Sequence, residues 1–180
     1  MGDSLLARSI GVMIFPRKTF QAASENHHER HIVVLSLVFG FLLARHIIRP
    51  ENHDLFFYVT TSLSCGIGFV YFAGFFLSWL IEISGPYVRP EKMRMVLAYS
   101  LTPYILALTL AHLSKWIALP KTSSISFFLI IFSWGLAVFG VRVITGIRLA
   151  QSLMVIVIPV AALLLVVAIL FKVAWMISSV

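Results

Sequence analysis

Five apolar runs divide this chain, each about as long as a bilayer's hydrocarbon core is thick. They cover residues 31–48, 55–84, 95–119, 124–144 and 152–178. A helix needs about 20 apolar residues to cross that core. In lipid, every backbone N–H and C=O must be satisfied within the protein, which leaves helices as the natural solution for runs of this length. The expected fold is therefore all-α: a polytopic transmembrane helical bundle with five spans. A short amphipathic N-terminal segment, residues 1–30, precedes them and is expected to lie at the membrane surface. The second run is long enough to tilt or to project past the headgroups.

Composition agrees with a membrane solvent. Of 180 residues, 60% are hydrophobic and only 12% charged, against roughly a quarter charged in a soluble domain. One membrane domain accounts for the length. The net charge of +7 is spread singly or in pairs at the ends of apolar runs. That placement suits lipid phosphates, whereas nucleic-acid binding needs clustered charge and is not expected. The single cysteine, Cys65, excludes an intramolecular disulfide and a cysteine-based metal site. The short apolar stretch 10–15 lacks the length and cleavage pattern of a signal peptide, so the start reads as mature and uncleaved. Leu6 stands where a myristoylation motif needs Ser or Thr. At the other end, the last residues are expected to finish almost inside the membrane.

The basic residues also vote on orientation. Nine of the fourteen Lys and Arg fall before the first span, between the second and third, or at the end of the fourth; five fall on the opposite side. Lys and Arg accumulate on the cytoplasmic side. This predicts a cytoplasmic N-terminus and an external C-terminus, in a bacterial inner membrane. Small residues suggest where helices meet: Ser64-x-x-x-Gly68 and Gly74-x-x-x-Ser78 in the second span, Gly135 and Gly140 in the fourth.

Three stretches carry a family resemblance. They are FPRKTF at 15–20, GPYVRPEKMRMVLAYSLTPYIL at 85–106, and WGLAVFGVRVITGI at 134–147. In this order, with five spans, the chain resembles the YIP family (the Ypt/Rab-interacting-protein domain) over essentially its whole length. The Tyr-Ser-x-Thr-Pro element, Tyr99 to Pro103, is the most distinctive. The resemblance implies a five-helix membrane domain with a cytoplasmic N-terminus. Eukaryotic relatives are associated with prenylated Rab-type GTPases and vesicle traffic. This chain lacks their long N-terminal region and looks more like the compact prokaryotic members, so the GTPase connection is not carried over.

Few residues could carry chemistry. Glu82 and Arg142 lie near the ends of two spans that run in the same direction, so they reach similar depth and are expected to pair. That pair is a structural salt bridge or, alternatively, part of a proton or substrate relay. Pro103 removes a backbone donor inside the third span, with Tyr99, Ser100 and Thr102 close by to repair the gap or to present polar groups to a cavity. His27 and His31 are four apart and could share a helix face as metal ligands. His46, His53 and His112, with Lys115 and Arg45, mark the opposite side. Gly-x-Ser-x-Gly, His-Glu-x-x-His and phosphate-cradling loops are missing. The chain reads as non-enzymatic, without a cofactor. Its expected partners are membrane lipids and a membrane protein or second copy of itself. The alternative is a small transporter, channel or lipid-handling protein with a polar path near Glu82, Arg142 and the Pro103 kink.

Overall fold

A computed structural model describes residues 4–26, 28–48, 55–114, 122–159 and 161. Among them the secondary structure is helical, without strands. Two short helices come first. In α1 (Leu5–Ile14) the Ser4 side chain accepts a hydrogen bond from the Ala7 N–H at 3.2 Å, a standard N-cap. Pro16 then opens α2 (Pro16–Glu25), because a proline in the first turn forfeits no internal hydrogen bond.

These two helices do more than rest on a surface. Arg8, Val12, Thr19 and Phe20 are buried against the bundle. On the outer side of α1, Leu6, Ile10 and Ile14 form an exposed apolar stripe at helical spacing. The helix thus has apolar contacts on one side and an apolar solvent on the other.

Four helical stretches are long and apolar enough to cross a membrane. The first is α3 (Glu29–Ile47). The second is continuous from Leu55 but contains a wide turn: α4 (Leu55–Leu63), a π-helical segment (Ser64–Gly68) and α5 (Phe69–Ser84). The third is broken at Leu101 into α6 (Pro90–Ser100) and α7 (Thr102–Leu113). The fourth is α8 (Thr122–Thr145). An eleven-residue apolar helix, α9 (Leu149–Pro159), follows. Most of the fifth expected span, 152–178, lies outside the described residues, as does the end of the third.

The third span starts at Pro90, five residues before the sequence reading placed it. Glu91, Lys92 and Arg94 look like loop composition, yet Pro90 sits in the first turn and Glu91 beside it favours the positive end of the helix dipole.

The small-residue contact between the first two spans also differs from expectation. A Cβ at Gly40 would lie 2.1 Å from the Ser62 carbonyl oxygen, and one at Gly66 would lie 2.2 Å from that of Ser36. The close crossing therefore pairs Ser36-x-x-x-Gly40 with Ser62-x-x-x-Gly66, while Gly68 touches nothing nearer than its own helix at 3.8 Å. The cause is the wide turn, in which the Phe69 N–H reaches back to the Ser64 carbonyl. It rotates the face that a regular 3.6-residue period would present. Ser36 and Ser62 turn their hydroxyls onto carbonyls one turn back in their own helices, at 2.7 and 2.8 Å, and so present little more bulk than alanine.

One core joins these elements. Phe20 of α2, Ile32 and Phe39 of α3, Val70 and Ile81 of α5, Val96 and Tyr99 of α6 and Val141 of α8 belong to it. Outside, large apolar side chains face outward: Phe56 is 81% exposed, Phe72 71% and Phe128 67%. A soluble protein of this size could not sustain so much exposed aromatic surface. The bundle is a membrane protein with lipid as its solvent.

Candidate polar junction and basic recess

Polar side chains gather where the N-terminal helices meet the spans. Arg8, on α1, is buried, and its guanidinium donates to the Asn26 carbonyl at the end of α2 at 2.9 Å. It also hydrogen-bonds the Tyr99 hydroxyl on α6. The same hydroxyl lies 3.0 Å from His31 Nδ1 on α3. A guanidinium can only donate, so the tyrosine oxygen accepts from Arg8, and the His31 tautomer sets which way the Tyr99–His31 bond runs. The His28 ring lies beside that of His31, tilted by 51°, with ring centroids 5.0 Å apart. One tyrosine thereby ties α1, α3 and α6 together.

A second group lies alongside. The Tyr71 hydroxyl on α5 donates to Glu29 Oε1, and Arg94 on α6 stands 3.8 Å from the same oxygen. The Arg94 guanidinium also lies 4.6 Å above the Tyr71 ring, a cation–π contact. Gly74, one turn beyond Tyr71, makes this possible: a Cβ there would lie 2.5 Å from Arg94 Cγ and 2.9 Å from its backbone nitrogen. An unpaired charge within a span is costly. Here an acid and a base from different helices share that burden with an aromatic face.

The break in the third span is packed over from outside the helix. Pro103 is fully buried and has no N–H to offer the Tyr99 carbonyl. The Ser100 hydroxyl folds back to the Val96 carbonyl of its own helix, while Ser133 of α8 donates to the Ser100 carbonyl. Thr102 does not take part, its Oγ1 being buried without a partner. Tyr99 serves the junction described above rather than the break.

Glu82 and Arg142 do not pair. Both are exposed, and among the described residues neither has an ion-pair partner. The ends of α5 and α8 do meet, Gly85 packing on Ile147, so the shared depth was right and the shared face was not. Glu82 stands with exposed Trp79 and Ile83 on the outward side of α5. Arg142 instead lines a recess of about 330 Å³ with Arg17, Gln21, Phe139, Val143 and Gly146.

Of the histidine pair, His27 lies outside the described residues, and His31 is engaged by Tyr99. Among the described residues no three His, Cys, Asp or Glu side chains converge as metal ligands. At the far end of the spans, His46 and His112 rings come within 6.0 Å. His112 Nδ1 is 2.7 Å from the Leu108 carbonyl. His53 and Lys115 fall outside the described residues.

Sequence reasoning missed Arg8, Glu29, Tyr71, Arg94, Ser133 and Arg17. Taking Pro90 as a helix start would have placed Arg94 inside the third span and flagged it as needing an acid. Nothing in the spacing distinguishes Ser133 from other span serines.

A family model described as the Yip1 domain matches residues 10–171. No curated protein and no solved structure matches the chain.

Proposed function

Because the chain belongs to the Yip1 domain family, we propose that this integral membrane protein is a non-catalytic scaffold or adaptor. It works through contacts in the plane of the membrane and through its basic end. The observation that carries this reading is the state of the Pro103 break. A transport path would use such a break to expose backbone carbonyls to a cavity. Here Pro103 is fully buried and the Ser100 carbonyl is taken by Ser133, so the joint is packed rather than lined.

The close crossing at Gly40 and Gly66 and the interlocked Arg8–Tyr99–His31 group support the same view. They hold the spans rigidly against one another, which suits a platform better than a rocking carrier. The positive-inside rule supports a cytoplasmic N-terminus, with the nine-residue basic side facing the cytoplasm of a bacterial inner membrane. On that side the scaffold would present α1, α2 and the loop after α5 to a membrane-protein partner or a second copy.

The rival reading, a small transporter or channel, is tested by flux. Purified protein in sealed liposomes is expected to pass protons and small anions no faster than protein-free vesicles. A protein-dependent flux abolished by Arg142→Gln would replace the scaffold with a carrier.

A further inference from the structure

The recess between α2 and the end of α8 has the chemistry of an anion site. Its polar lining is Arg17, Gln21 and Arg142, and its apolar wall is Phe139 and Val143. Among the described residues no carboxylate lines it, and neither guanidinium is spent on an ion pair. The cationic groups come from two elements that pack against each other, so their convergence is a property of the fold. Phe20 seats α2 on α8: a Cβ at Gly140 would lie 2.9 Å from the Phe20 ring. That contact places Arg17, one turn earlier on α2, beside Arg142, about half a turn further along α8.

Gly146 shapes the remaining side. With φ at +72°, it turns the chain sharply after Thr145, and its N–H caps the Arg142 carbonyl at 2.9 Å. The first turn of α2 has no side-chain cap, so its free N–H groups add positive potential near Arg17. The C-terminal end of α8 opposes this with roughly half a negative charge. Two guanidiniums outweigh it.

We propose that this recess binds a phosphate group, gripped by Arg17 and Arg142 with Gln21 as a further donor. Planar guanidinium forks fit phosphate oxygens in pairs, which a lysine cannot do. The volume lies at the small end of the range for small-molecule sites, enough for a phosphate with a compact polar substituent. Phe139 and Val143 offer an apolar wall at the end of a span, where the acyl region of a phospholipid begins. An anionic glycerophospholipid headgroup suits both halves of the lining, and a soluble phosphate suits only the polar half.

The test uses the full chain purified from membranes, with Arg17→Gln and Arg142→Gln, singly and as a double variant, at the site, and Arg148→Gln, matched in charge loss to each single variant, as the control at an exposed position outside the recess. Native mass spectrometry would compare retention of phosphatidylglycerol and phosphatidylcholine, and thermal unfolding would be followed with and without millimolar inorganic phosphate. Because Arg17 and Arg142 are exposed, the variants are expected to melt like the parent in neutral detergent. The expected result is several-fold preference for phosphatidylglycerol, lost in the double variant and kept in Arg148→Gln, with Arg142→Lys intermediate. Stabilisation by inorganic phosphate that depends on the same two arginines, without lipid preference, would support the phosphate site and assign it a soluble ligand. No preference and no phosphate effect would overturn the proposal. So would an equal loss in Arg148→Gln, which would reduce the recess to general surface charge.

Discussion

Glu29, Tyr71 and Arg94 illustrate how single residues settle the arrangement of whole spans. The carboxylate accepts from the tyrosine hydroxyl and faces the guanidinium, which in turn covers the tyrosine ring. The Glu29 and Arg94 side chains are 43% and 23% exposed, so the pair is partly solvated and its worth is modest. Coupling between polar partners across membrane helices averages about 0.6 kcal/mol and reaches about 1.7 kcal/mol. A double-mutant cycle with Glu29→Gln and Arg94→Gln, read by reversible unfolding in detergent, is expected to give a coupling in that range. A coupling near zero would mean that the two charges are held by solvent and lipid rather than by each other. Tyr99 differs, because its hydroxyl serves a buried arginine. There the removal of one partner leaves a charge short of a hydrogen bond, which costs more than the bond itself contributes.

At the scale of elements, the wide turn at Ser64–Gly68 decides which glycine matters. Gly66→Ala drives a methyl group into the Ser36 carbonyl, and Gly40→Ala drives one into that of Ser62. Backbone cannot rotate aside as a side chain can, so α3 and α4 must separate, at a cost of about 1–3 kcal/mol each. Gly68→Ala meets only ordinary contact at 3.8 Å and is expected to be neutral or slightly stabilising, because alanine favours the helix by about 1 kcal/mol. Thermal unfolding of the three variants side by side checks the ranking; a Gly68→Ala as damaging as Gly66→Ala would remove the wide turn from the account. This is also where the reach of the sequence ends. Long apolar runs read plainly, since span length follows from bilayer thickness, and the Pro103 break follows from a missing N–H. The Ser62/Gly66 face did not read, because one extra residue in a turn leaves no mark in composition. The Glu82–Arg142 expectation failed for a related reason: depth along an axis can be counted from the sequence, but rotation about it depends on packing. Arg17 and Arg142 share a recess only because Phe20 fits against Gly140.

Taken as a whole, the molecule is a bundle that is apolar outside, packed inside and basic at one end. Its interior serines mostly turn back onto their own helices, as Ser36, Ser62 and Ser100 do, while Ser133 reaches the Ser100 carbonyl and Tyr99 reaches Arg8 and His31 across helices. The direct measurement is thiol labelling in intact membranes, in a Cys65→Ser background, with single cysteines at Ser100, Thr102 and Ser133 inside and at Tyr87 and Arg148 at the exposed basic end. A membrane-impermeant reagent, given access to both faces, is expected to modify the two exposed positions and to leave the three interior ones unmodified until the protein is denatured. Rapid labelling at Ser133 or Thr102 in the folded protein would reveal water beside the Pro103 break and contradict the packed scaffold.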